Sequence, residues 1–447
     1  LKVVSAAAMA LALFLSTGAG AQVAPVPSAP NSQALSQAQR AAVVQAVKAA
    51  YAKSYVFPNK VPAILAQLDK GMKSGRYNVM SANELAGQIT SDLQAASKDG
   101  HAYLQYDPQR YAAATAEGGA GASLQNLSVF EASASRRDHH GLAELRILPG
   151  NVRYLKISGF RWVPDESGQA YDDAMRFLRD GDAVIIDLRG NGGGASEAVQ
   201  YLVSHFLKPG TLEITFLQAG HEPVQTRVLD NLPAGRMVGK PLYVLTDQGT
   251  ASAAESFAYD VQQFKLGTLV GSGTAGAANN NDFVAIAPGF MLSVSTGRPV
   301  HPVSKTNWEG TGVQPEVAVA PPQALDEAQV LALQALAARA LTPELKADYA
   351  WALPEAEARL HPVTISPAIV QAAPGSYGKY IVATDKGGLT LARPGHPLWP
   401  APRRLSLLTA DGLFAVDGVD ILRVGFKPGA LELFWKDEPA PRLIKRD

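Results

Sequence analysis

The sequence predicts an α/β core flanked by an N-terminal helical domain and a C-terminal β-rich module. Three observations carry that prediction. Apolar residues recur at helical spacing over residues 35–98, strands and helices alternate between 152 and 271, and short alternating segments separated by turn residues fill the chain beyond 363.

Taken in order, the chain opens with Lys2, an apolar stretch from Val3 to Leu15 and the small-x-small run Ala19-Gly20-Ala21. This reads as a signal peptide over 1–21, because the apolar stretch falls short of the roughly 20 residues that span a bilayer. The expectation is an exported protein, periplasmic or secreted, with no membrane span after signal cleavage. A proline-rich linker follows over 22–34. The helical domain, 35–104, shows one stripe of Val43, Val44, Val47 and Tyr51 and another of Ile64, Leu65, Leu68 and Met72; a third helix opens with Ser81 and Glu84 spaced as a capping box.

The core is read over 105–322. Its first stretch, to about 145, is rich in Ala, Gly and Ser and is expected to be loop with a strand or two. Strands are then predicted at 152–158, 183–188, 212–217, 242–246 and 268–271, with helices near 168–179, 195–207 and after Ser252. That alternation implies a mainly parallel sheet covered by helices. A helical connector over 323–361 leads into the β-rich domain over 362–447, which carries no recognisable chemistry.

Composition narrows the function. At 447 residues and 47% hydrophobic, the chain can bury a large core in two or three domains. Its 40 basic residues balance 40 acidic ones, so nothing attracts a polyanion and nucleic-acid binding is disfavoured. Without cysteine there are no disulfides and no thiolate chemistry.

Three stretches carry candidate chemistry. "TASAAESFAYD" puts Ser252 where the strand "KPLYVLTD" gives way to a helix; Ser252 and Glu255 form a capping box, so the serine reads as an N-cap, a nucleophile or both. "VIIDLRGNGGGASEAV" runs a buried strand into a glycine cluster whose backbone N–H groups can approach a developing anion, the makings of an oxyanion hole. "KDGHAYL" sets His101 at a turn between helix and strand, and "TNWEGTGVQPEV" sets Glu309 in a loop ahead of a strand. Serine, histidine and a carboxylate are the nucleophile, base and orienter of acyl transfer.

Read in order, "KDGHAYL", "ILPGNVRYLKISGF", "VIIDLRGNGGG", "TASAAESFAYDVQQ", "LVGSGTAGAANN" and "NWEGTGVQPEV" resemble the serine peptidases that include C-terminal processing proteases, the tricorn core protease and interphotoreceptor retinoid-binding protein. The resemblance spans roughly residues 40–320. It implies a ClpP/crotonase-like ββα spiral core, Ser252 as nucleophile, His101 as base, Glu309 as orienter, and the N–H groups of Gly193 and Ala253 as the oxyanion hole. It implies a peptide or protein substrate, a possible homo-oligomer and no cofactor. Processing proteases use a Ser–Lys dyad, whereas Ala277 stands in the lysine's place here, and residues 105–145 are too short for the PDZ domain of that branch. The chain is therefore closest to the tricorn and retinoid-binding branch, although Gly100 replaces the serine that precedes the tricorn histidine.

Other readings compete. "GNGGGA" (190–195) fits a dinucleotide-binding turn, with Glu213 about twenty residues further on, but at the start rather than the end of its strand. The retinoid-binding relative raises a non-catalytic carrier of apolar ligands or peptides as the alternative on the same fold. Asp138, His139 and His140 are adjacent, but neighbouring side chains rarely converge on one metal ion.

Overall fold

The structure, a computed structural model, describes residues 34–79, 81–116, 132–218, 221–397 and 399–447. The expected signal peptide, nearly all of the linker and part of the 105–145 stretch lie outside the described residues.

Helices α1 (Gln37–Ser54), α2 (Val61–Lys73) and α3 (Ala82–Ser97) form the helical region, and the short helix α4 (Pro108–Thr115) follows it in the chain. The stripe on α1 is fully buried, and α3 begins with both halves of the Ser81/Glu84 capping box, at 3.2 and 3.3 Å. Their apolar faces pack with Phe290, Leu292 and Val294 in one cluster. Each such side chain contributes about 1.5–3 kcal/mol of burial. These three residues belong to a strand far along the chain, so the helices are anchored to the core rather than standing apart from it.

The core has two sheets. In the larger one, β2 (Leu142–Leu148) pairs antiparallel with β3 (Val152–Ile157), and β3, β4 (Ala183–Asp187), β7 (Leu242–Thr246), β8 (Thr268–Gly271) and β11 (Val317–Ala318) follow as parallel neighbours. The steps from β3 to β4, β4 to β7 and β7 to β8 pass through the helices α5 (Ser167–Arg179), α6 (Ser196–Ser204) and α7 (Ala253–Gln263), and the step from β8 to β11 passes through two strands of the second sheet. The chain therefore winds steadily in one direction, which is the mixed α/β spiral expected of the core. Strands β4 and β7 are buried at every position, as parallel strands covered on both faces must be.

The second sheet is antiparallel: β1 (Tyr103–Tyr106), β10 (Phe290–Val300), β5 (Leu212–Gln218) and β6 (Val224–Arg227), with β9 (Asn280–Ile286) also on β10. Two sequence expectations change here. The 212–217 strand is not part of the parallel sheet, and the long hairpin β9–β10 went unread because its polar and small residues mask the alternation. Beyond the core, α8 (Ala324–Ala338) and α9 (Pro343–Leu360) cover one face of the larger sheet; α10 (Pro367–Ala372) then leads into an eight-stranded antiparallel sheet in sequential order from Gly375 to Lys445.

Candidate active site

Three loops leave the carboxyl ends of neighbouring parallel strands: 188–195 after β4, 247–252 after β7 and 272–279 after β8. Such ends are where open α/β sheets place ligands. The first two loops are stitched together by Gly190 N–H to Asp247 Oδ1 (2.9 Å), Thr250 Oγ1 to the Leu188 carbonyl (2.9 Å) and Ala251 N–H to the Asn191 carbonyl (2.9 Å).

This stitching delivers Ser252 to the start of α7 with φ 54° and ψ −121°. A conventional N-cap serine lies in the extended region, whereas a non-glycine residue at positive φ stores strain. Glu255 supplies its half of the expected capping box, accepting the Ser252 N–H at 2.9 Å. It does more than cap. Fully buried, the same carboxylate accepts Thr274 Oγ1 (2.5 Å), Gly276 N–H (2.6 Å) and Ala277 N–H (2.8 Å), tying the serine turn to the third loop.

The glycine loop lies directly against the serine. A Cβ on Gly193, whose φ is 102°, would stand 2.6 Å from Ser252 Cβ and 2.9 Å from Ala253 N. As the first residue of α7, Ala253 has an N–H with no helical acceptor upstream. The Gly193 N–H donates to Asn191 Oδ1 at 2.9 Å, and Asn191 Nδ2 donates to the Ile157 carbonyl at 3.0 Å, so this buried asparagine sets the loop's shape. Packed against Ser252 in this way, the cluster is not the open pyrophosphate turn of the dinucleotide reading.

His101 follows α3, whose C-cap Lys98 adopts the left-handed conformation, and its carbonyl accepts Ser293 Oγ from β10 at 2.5 Å. Glu309 holds this turn from across the site. Its Oε1 accepts Gly100 N–H at 3.3 Å, and its Oε2 accepts Ala278 and Asn279 N–H at 2.6 and 3.0 Å. Gly100 faces Ala277, at 2.9 Å for an added Cβ, so the position lacking the processing-protease lysine sits beside the histidine turn. The Glu309 loop is in turn fixed by buried Trp308, whose Nε1 donates to the Ala277 carbonyl at 3.3 Å.

Asp99, unnoticed in the sequence although only two residues before His101, is the other carboxylate of the site. It is buried, accepts His101 N–H at 2.9 Å and the Tyr55 hydroxyl at 3.0 Å, and lies with His101 and Glu309 in a cluster whose ligand-type atoms are within 4.8 Å of one another. Among the described residues this is the one group spaced to hold a cation. Its oxygens, however, already accept five hydrogen bonds, two at Asp99 and three at Glu309. Asp138 and His140, by contrast, pair with Arg161 (3.1 Å) and Ser167 (2.8 Å) and serve the fold.

Burial lowers the His101 pKa below its ordinary 6.5, with Asp99 pulling the other way, so the ring is neutral at pH 7. Burial and the Asp99 charge raise Glu309 above its usual range, while its three backbone donors oppose them. His101 Nδ1 is buried without a hydrogen-bond partner.

A cavity of about 230 Å³ opens beside Ser252 and Ala253, bounded by Gly194, Asn279 and Trp308 among others. The amide of Asn279, another residue the sequence reading passed over, is buried there with neither polar atom partnered. Polar residues within the small-residue motifs "GTAGAANN" and "LRGNGGG" are the available signal for Asn279 and Asn191.

Fold and site point to one class, that of peptidase family S41, whose match covers the core of the chain. Residues 151–319 match that family, and residues 33–130 match the N-terminal domain of peptidase S41 in eukaryotic IRBP. Among particular proteins, it is 25% identical over 184 residues to the carboxy-terminal processing protease CtpB of Bacillus subtilis, covering 40% of this chain and 36% of that one. It is 30% identical over 156 residues to the carboxyl-terminal-processing protease of Synechocystis, covering 34% of each. The chain thus spans about a third of the length of these curated relatives. A solved lipoprotein from Streptococcus agalactiae aligns at 14% identity with a TM-score of 0.45, over 70% of this chain and 99% of that one.

Proposed function

We propose that the chain is an exported serine peptidase in which Ser252 is the nucleophile, His101 the general base, Glu309 the group that orients it, and the Ala253 and Gly193 N–H groups the oxyanion hole. The observation that carries this reading is the backbone of Ser252. A strained conformation at a helix N-terminus, pressed against a glycine loop, is unnecessary for capping and is what presents a hydroxyl to a cleft.

Ser252 Oγ attacks the peptide carbonyl while His101 accepts its proton. The tetrahedral oxyanion takes the Ala253 N–H and draws the Gly193 N–H from Asn191 Oδ1, because a charged acceptor forms the stronger bond. His101 then protonates the leaving amine, and water repeats the sequence on the acyl-enzyme. Asp99 stabilises the imidazolium. The polar cavity lining, with its unpartnered Asn279 amide, favours a peptide over the apolar ligand of a carrier. Export rests on the reading of residues 1–21; among the described residues no helix is long and apolar enough to cross a membrane.

The test is treatment with an alkyl fluorophosphonate followed by mass spectrometry. The expected result is one adduct, on Ser252, absent from Ser252→Ala and slowed in His101→Ala. Absence of that adduct from the native protein, or its formation at an unchanged rate in His101→Ala, overturns the assignment.

A further inference from the structure

The cavity beside Ser252 contains a carboxyl group that the mechanism does not use. Glu213, on β5, is 3% exposed, lines the cavity, and leaves Oε2 without a hydrogen-bond partner. Behind it lies Asp260 of α7, fully buried, neither of whose oxygens makes a hydrogen bond; Asp260 Oδ1 is 3.3 Å from His301 Nε2. His301 Nδ1 accepts the Val303 N–H at 3.1 Å, so in the neutral ring the proton sits on Nε2, facing Asp260. A second carboxylate, exposed Glu197, stands on the cavity wall, and no basic side chain lines the cavity among the described residues.

An orphaned buried carboxyl is costly to the fold unless something meets it. Thr226 offers this carboxyl one hydrogen bond, but among the described residues nothing meets Oε2, and the opening is toward the nucleophile. We propose that Glu213 is the specificity-determining residue of a side-chain pocket beside Ser252, and that this pocket takes a basic substrate side chain, lysine or arginine, next to the scissile bond. The inference rests on the peptidase reading above, since the substrate is placed by Ser252.

Burial, reinforced by Asp260, holds the Glu213 pKa well above its ordinary value. Burial thus disfavours the charged form of Glu213, and an arriving ammonium or guanidinium opposes that shift by pairing with it. The Glu197 charge and the lack of lining cations favour such a guest over a neutral polar one.

The experiment compares an alkyl fluorophosphonate with its isostere bearing a terminal ammonium, using the rate of Ser252 adduct formation. The readout is the ratio of the two rates, in which any general effect on the nucleophile cancels. In the wild-type protein the cationic probe reacts about tenfold faster or more. In Glu213→Gln the ratio falls to about one, and in Glu213→Asp, which keeps the charge and guards against a folding failure of the amide, the cationic preference persists in weaker form. Equal rates in the wild type, or a preference that survives in Glu213→Gln, overturn the pocket assignment while leaving Ser252 as the nucleophile. Failure of both probes to modify Ser252 refutes the peptidase reading, and the pocket with it.

Discussion

The backbone N–H of Ser252 donates to Glu255 Oε2 at 2.9 Å, across the first turn of α7. Because the same buried carboxylate holds Thr274, Gly276 and Ala277, one side chain fixes both the Ser252 turn and the loop that carries the Glu309 contacts. Glu255→Gln offers a single acceptor oxygen and turns an NH2 toward backbone donors. With an unsatisfied buried donor costing about 1–3 kcal/mol, and at least two created, the loss is about 2–6 kcal/mol. The expected outcome is a melting temperature lower by about 2–6 °C and loss of fluorophosphonate reactivity; a melting curve matching wild type would refute the bridging role.

Gly193 is the position in the glycine loop where a side chain would collide with Ser252. Its φ of 102° excludes ordinary residues, and a Cβ would lie 2.6–2.9 Å from Ser252 Cβ, the Ala251 carbonyl and Ala253 N. Gly193→Ala is expected to lower the Ser252 labelling rate by about 100-fold or more through displaced oxyanion donors. Adduct formation at the wild-type rate is the contrary result.

The two carboxylates near His101 are separable by pH. If His101 acts as the proposed base, it does so as neutral imidazole with a pKa below 6.5, so the labelling rate is flat at neutral pH and falls only below that value. Asp99 raises the His101 pKa, so Asp99→Asn moves the acid limb to still lower pH. Glu309→Gln slows labelling by about 100-fold, since an oriented imidazole is lost, and leaves the limb in place. Rate–pH profiles of the three proteins check both statements.

Asp260 should be a stability burden that grows with pH. Burial raises its folded pKa well above 3.8. The unfolded chain therefore ionises first, and stability is lost as pH rises from about 4 toward the folded value. Asp260→Asn removes that slope. Its melting temperature, relative to wild type, is expected to climb between pH 4 and 8, by at most about 1.4 kcal/mol of stability per pH unit. A difference independent of pH would show that Asp260 is already compensated.

Local chemistry made much of this protein legible in its sequence. The stripes of α1 and α3, the capping box at Ser81, the apolar strands β3, β4 and β7, and the glycine cluster ahead of α6 are written in consecutive residues, because helix periodicity, capping and strand burial act over a few positions. Ser252, His101 and Glu309 stand out only when their motifs are read together and in order, through the family resemblance that order carries. Only the tertiary structure decided what surrounds them. It set φ at Ser252, brought Glu309 onto Gly100 across 209 positions, placed Asp99 beside His101, and turned Glu213 from a strand-start residue into the wall of the cavity beside the serine. Long-range pairing supplies the reason. Hydrogen bonds and desolvation depend on which distant segments the sheets bring together, and β10, the strand that binds the helical region to the core, has no strong local signature of its own.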